Sequence, residues 1–267
     1  MKLGVIGAGN MASAIIRGVV NSGKIAACDI YVSDMDAKKL VAMADTGVNT
    51  TEENEKVYEN SDVIILAVKP NVYPLVLTQL AEIQNIDSKV IISIAPGIST
   101  STMESYFTES VRIVRTMPNT PAMVGEGMTV LCGGANATSE DVECCEMIFT
   151  CVGKTACLAE SMMDAVVAVS GSSPAYVFMM IEAMADAAVA SGITREVAYE
   201  LAAQSVLGSA KMLLDTKKHP GQLKDMVCSP GGTTIDAVGV LEKRGFRSAL
   251  IEAMDACTKK TRSLGSK

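Results

Sequence analysis

Short apolar runs alternate with helix-period segments along the first part of the chain, and the alternation stops near Ala159. Residues 2–6 form an apolar strand that runs into a glycine turn, and the turn opens a helix extending to about Val20, where Ser22-Gly23 breaks the pattern. A strand at 29–33 and a helix at 36–44 follow, then a short strand at 46–50 and a short acidic helix at 52–59. Residues 62–68 are continuously apolar and close on Lys69-Pro70, the pattern of a strand covered on both faces. The spacing then predicts helix 72–83, strand 89–94, helix 99–106, strand 111–115, a loop at 116–121, strand 128–132, helix 138–151 and strand 155–158. This order predicts an α/β fold with a doubly wound, mostly parallel sheet.

Beyond Ala159 the period is helical and strands disappear, which divides the chain into domains 1–159 and 160–267. Helices are expected at 174–190, with Ser173 as N-cap, from the Thr194 cap to about Asp215, near 222–227, at 235–243 and at 246–261. Small residues at Ala198, Ala202, Ser205 and Ser209 stripe the second of these. A helical unit of about a hundred residues rarely buries such surface alone, so this half is expected to make a homo-oligomer, at least a dimer.

The 267 residues are 49% hydrophobic and 20% charged, enough for a substantial core. A net charge of −7 argues against a nucleic-acid partner. The N-terminal run, broken by glycines and Arg17, is no signal peptide. Residues 165–181 contain Ser170-Gly171-Ser172-Ser173-Pro174 and are soon followed by Glu182 and Asp186; they read as a loop plus a buried helix, so no membrane span is expected. The eight cysteines show no C-x-x-C spacing and read as reduced core residues of a cytoplasmic protein. A single histidine, His219, leaves little for a zinc site or a Ser-His-Asp triad, and no metal is expected.

Two stretches carry candidate chemistry. Gly7-Ala8-Gly9-Asn10-Met11-Ala12 lies between strand and helix, the context of a dinucleotide fingerprint. Gly7 permits the tight turn and Gly9 lets a pyrophosphate approach, while the Asn10 and Met11 amides sit at the positive helix end. In an open parallel sheet ligands bind beyond the carboxyl ends of the strands, where Ser33 and Asp34, Ala67, Val68, Lys69 and Pro70, and Ala95, Pro96 and Gly97 fall. Asp34 suits a ribose 2′-hydroxyl of NAD, whereas Ser33, Lys38 and Lys39 suit the 2′-phosphate of NADP; the alternative is that Asp34 and Asp36 only start a helix. Lys69 is either a solvated strand-end charge or a group near cofactor or substrate, and Glu160 is either a surface acid or a group facing the site. Tyr176, on the first turn of a helix, reads as packing. The second stretch is Ser229-Pro230-Gly231-Gly232-Thr233-Thr234. Thr233 or Thr234 would cap the following helix, and the amides of Gly231, Gly232 and Thr233 form either a nest for a small carboxylate or an ordinary capped helix start.

Gly7 to Ala12, Ala67-Val68-Lys69-Pro70, Met117-Pro118-Asn119-Thr120-Pro121 and Ser170-Gly171-x-x-Pro174-Ala175-Tyr176 occur in the same order in pyrroline-5-carboxylate reductases. Gln222-Leu223-Lys224-Asp225-x-Val227-x-Ser229-Pro230-Gly231-Gly232-x-Thr234 resembles that family's signature, and Gly245-Phe246-Arg247 its continuation. The resemblance spans the chain. It implies reduction of L-1-pyrroline-5-carboxylate to L-proline, the last step of proline biosynthesis, with hydride from NADP(H) or NAD(H). It further implies an N-terminal Rossmann-type domain and an all-α C-terminal dimerisation domain. Carried over by position, Asn54 would hold the adenosine end, and Ala67, Lys69 and Ala95 to Gly97 would line the path to the nicotinamide. Glu160 would touch the substrate, Ser229 and the backbone of Gly231, Gly232, Thr233 and Thr234 would hold its carboxylate, and the Thr234 hydroxyl would act catalytically at the ring nitrogen. Ser173 stands where the family usually has glycine, and Met226 where some members carry asparagine. The rivals are a 3-hydroxyacid-type dehydrogenase, disfavoured because no lysine lies between Lys154 and Lys211, and a non-catalytic nucleotide-sensing module.

Overall fold

The computed structural model describes residues 1–265 and divides the chain into two compact units: Met1–Ser172 together with the segment from Cys257 on, and Ser173–Ala256. The first unit is built on one eight-stranded sheet of order β3-β2-β1-β4-β5-β6-β7-β8. Its strands are β1 (Leu3–Ile6), β2 (Ile30–Ser33), β3 (Asn49–Thr51), β4 (Val63–Leu66), β5 (Val90–Ser93), β6 (Arg112–Met117), β7 (Gly127–Gly133) and β8 (Gly153–Cys157). The first six are parallel, β1 pairing Leu3 with Ile30 of β2 and with Val63 of β4. β7 runs against β6, and β8 follows β7 in parallel, so the last two strands are reversed relative to the rest. The order turns back at β1, flanked by β2 and β4, which is the switch point where an open sheet leaves a crevice.

Successive strand residues feed opposite faces, as the two-residue period requires. Val5, Ile65 and Ile92 pack with Ile15, Ile16 and Val19 of α1 (Asn10–Ser22) and with Ile148 and Phe149 of α6 (Ser139–Phe149). Ile6, Ile64 and Ile91 pack on the other face with Tyr58 of α3 (Asn54–Glu59), Leu77 of α4 (Tyr73–Ala81) and Met103 of α5 (Thr100–Glu104). α2 (Ala37–Ala44), capped by Asp36, completes the helices that alternate with the strands. Gly23 ends α1 in the left-handed region at φ 69°.

Residues 170–173, expected as a loop, instead continue a helical path. After β8 the chain makes a 3-10 turn (Glu160–Met162), then α7 (Met163–Val166) and a π-helical turn (Val167–Gly171), which leads into α8 (Ser173–Ala190). The wide turn has local causes. The Ser170 carbonyl accepts a hydrogen bond from Asn119 Nδ2 at 3.0 Å, and a Cβ on Gly171 would come within 2.7 Å of Met117 Cε. A carbonyl drawn to a side chain and a backbone pressed on its neighbour are what widen a helix locally.

The second unit is helical: α8, α9 (Arg195–Thr216), α10 (Pro220–Val227), α11 (Thr233–Lys243) and the first part of α12 (Phe246–Gly265). Ala185, Ala198 and Ala202 are the buried residues of α8 and α9, small enough to let helix backbones approach. α8 is not the buried helix expected from its composition. Phe178 is 64% exposed in the single chain and Leu207 of α9 is 57% exposed. By length and composition alone, Glu160–Ala190 would suffice to cross a membrane. The cysteines also depart from expectation, because only Cys132 and Cys145 are buried while Cys28 and Cys157 are exposed; all eight are free thiols.

Candidate active site

The glycine turn is fixed by backbone geometry. Gly7 has φ +99°, and a Cβ there would lie 2.7 Å from the Ala67 carbonyl oxygen. The ladder continues through the turn, with Gly7 N–H donating to Ser33 O at 2.7 Å and Ala67 N–H to Ile6 O at 2.8 Å. These bonds gather Gly7 and Ala8, Ser33 and Asp34, and Ala67 to Pro70 at the carboxyl ends of three adjacent strands. Gly9 is the N-cap of α1, and a Cβ on it would meet nothing within 4 Å. The first amides of α1, at Asn10 and Met11, lack intrahelical acceptors by the geometry of any helix start. A dinucleotide pyrophosphate fits this open, positively polarised end without displacing a side chain.

Asp34 and Asp36 do different work. Asp36 caps α2 by accepting from the Lys38 amide at 3.0 Å. Asp34 ties the end of β2 to the glycine turn: Oδ2 accepts from the Ala8 amide at 2.7 Å and Oδ1 from the Asp36 amide at 2.9 Å, with Lys39 Nζ 3.4 Å away. Burial alone would raise the Asp34 carboxyl, but the Ala8 and Asp36 amides and the Lys39 ammonium outweigh it and hold the group below its ordinary value.

Ser33 is fully buried and donates to Asn54 Oδ1 at 2.7 Å, while Asn54 Nδ2 donates to Gln79 Oε1 at 3.0 Å. In the free chain Ser33 therefore braces the crevice by tying the end of β2 to α3. The Asn54 amide is drawn into the same relay. Further along the sheet edge, Lys69 and Pro70 are exposed and start a 3-10 turn (Pro70–Val72). Ala95 is buried, and Gly97 turns at φ +76°. Pro70, Tyr73, Pro96, Gly97 and Thr102 line a cavity of about 470 Å³ beside these turns. Tyr73 drew no attention in the sequence, yet its buried hydroxyl donates to Leu66 O at 2.8 Å and lies 2.9 Å from Ser93 Oγ, joining β4 and β5.

Glu160 was expected at the substrate, but both its oxygens are engaged within the first unit. Oε1 accepts from the Thr100 amide at 2.7 Å and from Arg115 Nη1 at 3.3 Å, and Oε2 accepts from the Thr100 hydroxyl at 2.7 Å. Arg115 Nη2 also donates to Asp164 at 2.9 Å. Glu160 thus ties the start of α5 to β6, with its side chain 30% exposed. Arg115 went unremarked in the sequence because it reads as the polar end of a strand.

In the second unit, residues 229–234 form a tight turn between α10 and α11. Gly231 sits at φ +67°, Gly232 N–H donates to Ser229 O at 3.0 Å, and a Cβ on Gly232 would run into the Ser229 hydroxyl. Neither threonine caps α11. The N-cap is Gly232, which has no side chain to cap with, so Thr233 and Thr234 fall in the first helical turn. The leading amides of α11 are thereby left without a side-chain cap, and Thr234 is half-buried beside them. His219 caps α10, its Nδ1 accepting from the Gly221 amide at 3.1 Å. Met226 is exposed.

Comparison with known proteins agrees with both halves of this picture. Residues 2–97 match the family described as NADP oxidoreductase coenzyme F420-dependent, and residues 160–264 match pyrroline-5-carboxylate reductase dimerisation. The chain is 48% identical to pyrroline-5-carboxylate reductase of Escherichia coli K12, over 98% of each chain. It is 43% identical to that of Methanosarcina acetivorans, over 100% of this chain and 98% of the relative. Among solved structures, a pyrroline-5-carboxylate reductase from Coxiella burnetii superposes with TM-score 0.92 at 36% identity, covering 98% of each chain. One from Plasmodium falciparum with NADP bound superposes with TM-score 0.90 at 34% identity, covering 99% of this chain and 98% of the other. Sequence, sheet order and glycine turns thus converge, and the chain belongs to the pyrroline-5-carboxylate reductase family.

Proposed function

We propose that the protein reduces L-1-pyrroline-5-carboxylate to L-proline with NADPH or NADH. The observation that carries this reading is full-length identity of 48% to a reductase of that name, joined to a glycine turn whose shape suits a dinucleotide. The bound cofactor supplies the hydride. The chain's own task is to bind, orient and exclude water. Gly7, Ala8, Gly9 and the Asn10 and Met11 amides hold the pyrophosphate, with Asp34 bracing the turn. Val68, Lys69, Pro70, Ala95, Pro96 and Gly97 form the wall on the nicotinamide side.

The turn at 229–234 is the substrate's anchor in this reading. Its Gly231 and Thr233 amides, together with the Ser229 hydroxyl, donate to a carboxylate at the uncapped start of α11, while the Gly232 amide closes the turn on the Ser229 carbonyl. The Thr234 hydroxyl bonds the ring nitrogen. A protonated imine already accepts hydride well, so the protein needs neither a strong base nor a metal; it needs one oriented hydroxyl. The apolar surface of α8 and α9 is then covered by a second copy of the chain and not by lipid, as expected of a dimerisation region matching 160–264. Its eight free thiols suit a reducing cytoplasm.

The test is to mix the purified protein with pyrroline-5-carboxylate and either reduced cofactor, follow nicotinamide absorbance and identify proline as product. No oxidation with either cofactor overturns the reading. Thr234→Ala should lower kcat by about 10–100-fold through loss of one hydrogen bond to a charged group, with little change in thermal midpoint; unchanged turnover removes Thr234 from the mechanism.

A further inference from the structure

The turn that follows β5 is held at both of its ends. At the near end, Ser93 is fully buried and its hydroxyl lies 2.9 Å from the Tyr73 hydroxyl. The Ala95 amide donates to the same Ser93 oxygen at 3.3 Å, and Thr116 Oγ1 donates to the Ser93 carbonyl at 2.9 Å. At the far end stands Thr100, the buried first residue of α5, gripped by Glu160 through its amide and its hydroxyl. Glu160 is itself fixed by Arg115, whose side chain is only 5% exposed in mid-sheet and is shared with Asp164. Between the two anchors run Ala95, Pro96 and Gly97, the last in the left-handed region. A charge-assisted pair of bonds on one residue, backed by a buried cation, fixes position more firmly than helix packing alone.

We infer that Glu160 is a positioning residue: through Thr100 it sets the height of the turn at 95–97 against the nicotinamide ring. The inference rests on the reading of that turn as the nicotinamide wall. Glu160 spends both its oxygens on Thr100 and Arg115. It keeps the ring and the imine carbon in register by denying the turn its freedom to slide along β5, and misplacement by about an ångström costs up to about 100-fold in rate. Arg115 keeps Asp164 when Glu160 is neutralised, so the sheet retains its buried ion pair.

The experiment uses the full-length protein and two variants. Glu160→Gln keeps the volume but gives up the charge and one acceptor. Thr100→Val keeps the amide but loses the hydroxyl. Both should lower kcat by about 10–100-fold while leaving KM for pyrroline-5-carboxylate unchanged. Both should also raise the isotope effect with cofactor deuterated at the transferring carbon, because the hydride step becomes slower than product release. Affinity for NADPH should fall relative to 2′-phospho-ADP-ribose, which lacks the nicotinamide. Unchanged kcat and isotope effect in folded variants, or equal loss of affinity for both ligands, overturns the inference. If the wild type binds NADPH but leaves pyrroline-5-carboxylate untouched, the proposed reaction fails, and the two-ligand comparison still decides the role of Glu160. Should the wild type bind neither ligand, both readings fall.

Discussion

Substituting Gly9 separates binding from stability, because its surroundings differ so much from those of Gly7. Gly9 has φ −73° and ψ −178°, extended backbone that alanine adopts freely, and a Cβ there would meet nothing within 4 Å. Gly9→Ala therefore introduces neither strain nor clash in the free protein. The gain from restricting the unfolded chain, about 0.4–1 kcal/mol, is opposed by the poorer fit of alanine at the N-cap of α1, a cost of about the same size, so the thermal midpoint should stay within about 4 °C of wild type. The same methyl occupies the space where a pyrophosphate would approach the backbone. Overpacking at such a contact costs about 1–3 kcal/mol, which weakens cofactor binding about 5- to 150-fold. Gly7→Ala is the contrast. Its left-handed φ of +99° costs about 1–3 kcal/mol for a non-glycine residue, and its Cβ would press on the Ala67 carbonyl, backbone that has no rotamer to escape by. Titration with NADPH by nicotinamide fluorescence and thermal melts of both variants provide the readout. A Gly9→Ala protein that binds cofactor unchanged refutes the assignment of that open space to the pyrophosphate.

Other expectations are simpler to check. The Asp34 carboxyl titrates below its ordinary value, so its ionised form stabilises the fold fully above about pH 4 and the contribution is lost as pH falls through the lowered folded value. The urea midpoint of Asp34→Asn should therefore trail wild type at pH 7 and converge on it in acid; a gap independent of pH contradicts the Ala8–Asp34 bond as its source. Phe178→Glu, at a side chain 64% exposed on α8, should shift the protein to a smaller species in light scattering, whereas an unchanged mass excludes that part of α8 from the subunit interface.

The order of elements in the first unit was legible because covered parallel strands leave continuous apolar runs, as at residues 62–68, and because Gly-Ala-Gly before a helix constrains backbone locally. What stayed hidden depends on distant partners. Arg115 looks like a strand-end cation until Glu160 and Asp164 come to it from beyond β8. The Ser33–Asn54–Gln79 relay likewise joins three elements that are far apart in sequence. Hydrophobic period also carries no strand direction, so the reversal of β7 was not readable. The two threonines at the start of α11 looked like caps because threonine favours that position; the turn begins the helix one residue earlier, at Gly232.

The reversed strand has a bearing on how the molecule assembles. β6 and β7 are joined without a crossover helix and pair antiparallel, Met117 opposite Val130. Such near neighbours meet after only a short loop closure, a cheap and fast event. The crevice end requires the opposite: β1 must find β4, Leu3 opposite Val63, across an intervening α1–β2–α2–β3–α3 excursion. Contact separation of that kind slows pairing. Chain entropy thus makes the β6–β7 pairing the cheaper of the two closures, and the crevice between β1 and β4 the more costly one to assemble.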